Sequence, residues 1–120
     1  LRLPEPDMPL PWLSDEDVAY YAAEFGASGF RGPLNRYRNS HRDNAYLRSA
    51  SDQIIRQPAL FIGGTRDLVL KMFPGDMVAA MKPHVPNLMA AHLIEGCGHW
   101  TQQERPDEVN ALLLDWLARL

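Results

Sequence analysis

Pro58-Ala59-Leu60-Phe61-Ile62-Gly63-Gly64-Thr65-Arg66-Asp67 decides the fold class. The run from Pro58 to Ile62 is short, continuous and apolar. Two glycines close it, and a polar Thr-Arg-Asp loop follows. A strand that needs no polar alternation is one buried on both faces, as in parallel sheets. Downstream, a helix is expected from Asp76 to Lys82, flanked by Pro74 and Pro83. Leu88 to Ile94 reads as a second strand, ended by Gly96-Cys97-Gly98. From Pro106 onward, Val109, Leu112, Leu113, Trp116, Leu117 and Leu120 recur at helical spacing, predicting an amphipathic helix over one sheet face. Strand, helix, strand, helix implies parallel strands joined by right-handed crossovers, an α/β arrangement. Two strands leave edges unpaired and apolar faces wet, so the expectation is a piece of a larger sheet.

Upstream of this segment the character differs. Residues 1–13 are proline-rich, which favours extended or turn backbone over helix. Ser14 opens a helix: Asp17 three positions on completes a capping box, and Asp15, Glu16 and Asp17 suit the positive helix end. Val18, Tyr21, Ala22 and Phe25 form its apolar stripe, with Gly26 or Gly29 as the stop. A second, mostly polar helix is expected after Gly32, with Pro33 at its first position. The division is therefore residues 1–50 and residues 51–120.

The 120 residues are 46% hydrophobic and 22% charged, ordinary values for a globular chain. A net charge of -3 argues against nucleic acid or an anionic membrane as partner, and no apolar run approaches the roughly 20 residues of a membrane span. The basic cluster Arg31, Arg36, Arg38 and Arg42 reads as a solvated helix face or as local partners for carboxylates. One cysteine, Cys97, excludes an internal disulfide and a thiolate cage, and fits a reducing, cytoplasmic setting. The chain opens Leu1-Arg2 without methionine, which suggests a fragment.

Two residues could carry chemistry together. Asp67 follows the first strand, and in open α/β sheets ligands bind beyond the carboxyl strand ends. The plain alternative is a turn in which Asp67 bonds its own backbone. His99 follows the second strand, where the glycines of Gly96-Cys97-Gly98 allow a tight turn. Histidine changes charge near neutral pH and suits general base work. Acid before histidine matches the last two members of the α/β-hydrolase order of nucleophile, acid, histidine. His41, His84 and His92 share no metal-ligand spacing, so no metal site is expected. Tyr20, Tyr21 and Tyr46 read as packing; Tyr37 would too, but for its surroundings.

Those surroundings carry a resemblance. Ser28-Gly29-Phe30-Arg31-Gly32-Pro33-Leu34-Asn35-Arg36-Tyr37-Arg38-Asn39 resembles the end of the helical cap of soluble epoxide hydrolases. The run from Pro58 to Leu70 resembles that family's acid loop, and the run from Gly96 to Pro106 its histidine loop. The resemblance implies the C-terminal part of an α/β-hydrolase fold: the end of the cap in residues 1–50 and the last core strands and helices in 51–120. It implies a small-molecule epoxide and water as partners and no cofactor. An aspartate nucleophile would attack the epoxide while Tyr37 hydrogen-bonds the leaving oxygen. His99, oriented by Asp67, would then activate water. Val69, Leu70 and Trp100 are the implied pocket residues. Where the family usually has Trp before the tyrosine, this chain has Arg36. The nucleophile, its elbow, the oxyanion-hole loop and the second cap tyrosine are expected upstream of Leu1, in the remainder of the same fold, so the isolated chain is expected to be inactive. A haloalkane or haloacid dehalogenase and a non-catalytic hydrolase-like fragment are the alternatives. Oligomeric state stays open, a homodimer being one option, as does a role in detoxification or lipid signalling.

Overall fold

The apolar run at Ala59–Gly64 and the one at Leu88–Ile94 pair directly and in parallel. In the computed structural model, which describes residues 10–49 and 53–120, they are the strands of a two-stranded sheet with Leu60 opposite Ala90 and Gly64 opposite Ile94. The chain divides into two units at Ser51, and each is described separately.

In the first unit, α1 spans Asp15–Ser28. Ser14 caps it as expected: its hydroxyl accepts from the Asp17 N–H at 3.1 Å, and Asp17 accepts in return from the Ser14 N–H at 2.9 Å. Of the two candidate stops the chain uses Gly29, whose φ of 68° is the left-handed region that glycine enters without a Cβ clash. The second helix departs from expectation twice. It starts at Arg31, two residues early, and it breaks at Asn39 into α2, Arg31–Arg38, and α3, Ser40–Ser49. Pro33 thus stands third in the helix, still in the first turn, where its missing N–H has no intrahelical partner to lose. Arg36 pairs with Asp43 across the break at 3.8 Å, and Arg38 reaches Asn35 at 3.4 Å, so this part of the basic cluster has local partners. The proline-rich reading of residues 1–9 lies outside the described residues; Leu10–Leu13 form a turn closed by the Leu13 N–H donating to the Leu10 carbonyl.

In the second unit β1, Ala59–Gly64, is followed by α4, Leu68–Met72, and α5, Met77–Met81. The chain returns through β2, Leu88–Ile94, then α6, Thr101–Glu104, and α7, Pro106–Leu117, with Pro106 at the first turn. The core is small: Ile94, Cys97 and Val109 are buried together, with Ile62 and Leu112 packed against them. Helix α7 covers this one face, presenting Val109, Leu112 and Trp116; Leu113, Leu117 and Leu120 face outward. The expectation that β1 is buried on both faces is corrected. Ala59 to Ile62 are only half-buried, because the opposite face carries no comparable cover among the described residues, and Leu93 of β2 is exposed there. The alternating burial along β2 has the same cause. No helix of the described residues is long and apolar enough to cross a membrane.

Candidate active site

Parallel strands deliver their C-terminal ends to the same edge, so the loops after β1 and β2 are neighbours. Backbone hydrogen bonds fasten them together. The Thr65 N–H donates to the Ile94 carbonyl at 3.0 Å and the Arg66 N–H to the Cys97 carbonyl at 2.8 Å. The Gly96 N–H donates to the Thr65 hydroxyl at 2.9 Å. The approach is closest at Gly64, where a Cβ would lie 2.2 Å from the Gly98 carbonyl oxygen and 2.3 Å from that of Cys97. Glycine is required there to let backbone meet backbone.

This seam brings Asp67 and His99 together. The Asp67 carboxylate Oδ2 is 3.0 Å from His99 Nδ1, and its Oδ1 accepts from the Val69 N–H at 2.8 Å, capping α4. The two readings of Asp67 are therefore both realised, one per oxygen. Asp67 is 8% exposed, whereas the His99 side chain is 54% exposed. Burial pushes the Asp67 carboxyl up, but the hydrogen bonds from His99 and Val69, with the charge of His99, outweigh it and hold the group below its ordinary value. A carboxylate fixed on Nδ1 sets the imidazole tautomer that leaves Nε2 unprotonated, free to take a proton from water.

The remaining expected site residues fall into two groups. Trp100 is beside the pair, its ring edge-on to His99 at 5.2 Å between centroids, and Val69 contributes the N–H held by Asp67. Leu70 sits elsewhere: with Phe61, Met77, Val78 and Leu93 it lines a hollow on the sheet face opposite α7. Tyr37 belongs to the first unit, where it is largely exposed and borders an open hollow with Arg36, Ser40, Asp43 and Asn44. Sequence reasoning missed Glu104, whose carboxylate accepts from the N–H groups of Gly98 and Trp100 on either side of His99. The available signal was an acid one helical turn after Trp100, at the distance from which a side chain reaches back to the free N–H groups of a helix start.

No protein-family model matches the chain. It is 43% identical over 104 residues to bifunctional epoxide hydrolase 2 of Rattus norvegicus, covering 87% of this chain and 18% of the relative. It is 42% identical over 119 residues to epoxide hydrolase A of Mycobacterium tuberculosis, covering 99% and 36%. Among solved structures, an epoxide hydrolase from an endophytic Streptomyces superposes with a TM-score of 0.83 at 50% identity, over 94% of this chain and 34% of that one. A second, from Solanum tuberosum, gives a TM-score of 0.86 at 32% identity, over 96% and 38%. The chain thus has the fold of part of an α/β-hydrolase. More narrowly, it corresponds to the C-terminal portion of an epoxide hydrolase, and it spans about a fifth to a third of the length of these curated relatives.

Proposed function

We propose that this chain supplies the acid, the histidine and a ring-opening phenol of an epoxide hydrolase, with residues 1–50 as the end of its cap and residues 51–120 as the last part of its core. The observation that carries the reading is the 3.0 Å contact between Asp67 Oδ2 and His99 Nδ1 at the carboxyl ends of two adjacent parallel strands.

In the first step an aspartate carboxylate oxygen, from the part of the parent protein outside this chain, attacks an epoxide carbon. The ring C–O bond breaks, and Tyr37 donates its phenolic proton toward the departing alkoxide. This forms a glycol monoester on the aspartate. In the second step His99 Nε2 takes a proton from water, and the resulting hydroxide adds to the ester carbonyl. The acyl C–O bond then breaks, the vicinal diol leaves with the proton that His99 returns, and the aspartic acid so formed gives up its proton, through solvent, to the Tyr37 phenolate, which restores both carboxylate and phenol. Asp67 stabilises the imidazolium that appears between these events. Val69 and Trp100 flank the reacting centre, whereas Leu70 lines the separate hollow on the sheet face. The reaction needs no cofactor. A reducing, cytoplasmic setting is supported by the buried free thiol of Cys97.

The resemblance around Tyr37 favours this chemistry over dehalogenation, since a departing halide needs no phenol donor. The full-length parent protein tests the choice. Tyr37→Phe is expected to slow formation of the ester from an epoxide by about 10²-fold or more and to leave ester hydrolysis within a few-fold. An unchanged rate of ester formation would transfer the site to the dehalogenase reading.

A further inference from the structure

The chemistry above makes no use of Glu104, yet its carboxylate is committed to the histidine loop with both oxygens. Oε2 accepts from the Gly98 N–H at 2.6 Å and Oε1 from the Trp100 N–H at 3.1 Å. These are the N–H groups of the residues immediately before and after His99. The Glu104 N–H in turn donates to the Trp100 carbonyl at 2.8 Å, so Trp100 is tied to Glu104 at both ends. The loop wraps the carboxylate so closely that a Cβ on Gly98 would lie 2.7 Å from Oε1 and 3.1 Å from Oε2. Gly98 does not have a positive φ, so a methyl group added there would displace the Glu104 carboxylate rather than strain the backbone.

His99 needs such a clamp. Its side chain is about half exposed, so packing does not orient it, and its recorded contacts are Asp67 on Nδ1 and the edge of Trp100. The direction of the imidazole is then set by the backbone from which it springs. On one side that backbone is fixed by the Cys97 carbonyl, which holds the Arg66 N–H. Glu104 holds it on both sides, through the Gly98 and Trp100 N–H groups, by hydrogen bonds to an ionised acceptor, a class shorter and stronger than neutral ones.

We propose that Glu104 is a positioning residue for the water-activating step, clasping the backbone on both sides of His99 so that the imidazole stays in line with Asp67 and with the ester. The proposal rests on the epoxide hydrolase reading and deepens it. It predicts an asymmetric defect. Ester formation does not involve His99, whereas ester hydrolysis does, so loss of the clasp leaves the first step running and starves the second.

The experiment uses the full-length parent protein with styrene oxide as probe, following the covalent ester by rapid quench and intact mass. Glu104→Ala is expected to form the ester within about threefold of the unmodified protein and to hydrolyse it about tenfold or more slowly, a small misplacement of a catalytic group being sufficient for that. The ester therefore accumulates. Gly98→Ala, which drives a methyl group into the carboxylate, is expected to accumulate it too. Glu104→Gln keeps one acceptor oxygen and is expected to fall between the unmodified protein and Glu104→Ala. Hydrolysis by Glu104→Ala at the unmodified rate would overturn the proposal. So would an equal drop in both steps, which marks lost folded protein rather than a misdirected histidine. If the unmodified parent forms no ester at all, the epoxide reading itself fails, a result distinct from both.

Discussion

At Asp67 the two carboxylate oxygens serve different partners, the Val69 N–H at 2.8 Å and the His99 ring at 3.0 Å. That division lets substitutions separate structure from chemistry. Asp67→Asn retains an oxygen for Val69 but turns an amide N–H toward His99 Nδ1, favouring the tautomer with its proton on Nε2. Ester hydrolysis in the parent protein is then expected to fall by about 10²–10⁴-fold, with ester formation little changed. A fall in both steps together would remove Asp67 from the orienting role. The carboxyl also links stability to acidity. Its folded value is depressed below the ordinary 3.8, so its contribution is fully present above that value. The contribution is lost as pH falls through the depressed value, because the unfolded chain then binds the proton more readily than the folded one. Acid titration of thermal stability should show a loss below about pH 4 that Asp67→Asn reduces. Asp67 was visible in the sequence because its place after a glycine-closed apolar run put it on the functional edge. Glu104 was not singled out, because its importance lies in two backbone N–H groups, and the spacing that marks it, an acid one turn after Trp100, is shared by many helix starts.

At the scale of elements, legibility followed length and punctuation. The helix at Asp15–Ser28 has a serine, an aspartate three positions on and a terminal glycine, and that at Pro106–Leu117 has a proline start and a long apolar recurrence. Both strands are apolar runs bounded by glycine, and all four elements stand near their expected bounds. The short helices Leu68–Met72 and Thr101–Glu104 were missed, since four or five residues complete scarcely more than one turn and show no period. They exist because side chains cap or brace them: Asp67 accepts the Val69 N–H, and Glu104 reaches back to Trp100. The break at Asn39 has no proline or glycine to announce it. The helix that covers the sheet makes its central contact through Val109, packed with Ile94 and Cys97. Val109→Ala removes two methyl groups from this small core and is expected to cost about 2 kcal/mol, read as a lower denaturation midpoint with an unchanged slope. A midpoint shift within experimental scatter would mean that α7 is held by something other than this cluster.

On the scale of the whole molecule, the inference from too few strands was the most informative and the least visible residue by residue. Two parallel strands covered by one helix leave the other sheet face, with Leu93 and the hollow around Phe61 and Leu70, in contact with solvent among the described residues. The sequence could announce a strand fit for burial on both sides, but among the described residues of this unit only the α7 side of the sheet is well covered. The same holds for chemistry. His99 and Asp67 can activate water, but in the proposed scheme the ester they hydrolyse is made on an aspartate elsewhere in the parent. These two dependences predict separate properties of the 120-residue chain in isolation. Exposed apolar surface should make it bind a hydrophobic dye such as ANS far more strongly, mole for mole, than the full-length parent does. Incubated with styrene oxide, it should yield diol no faster than buffer, and intact mass should show no adduct on any of its carboxylates, since the proposed scheme puts the nucleophile in the rest of the parent. Diol formation above the buffer rate by the isolated chain would mean that the nucleophile lies within residues 1–120, and the division of roles between this chain and the remainder of the fold would have to be redrawn around it.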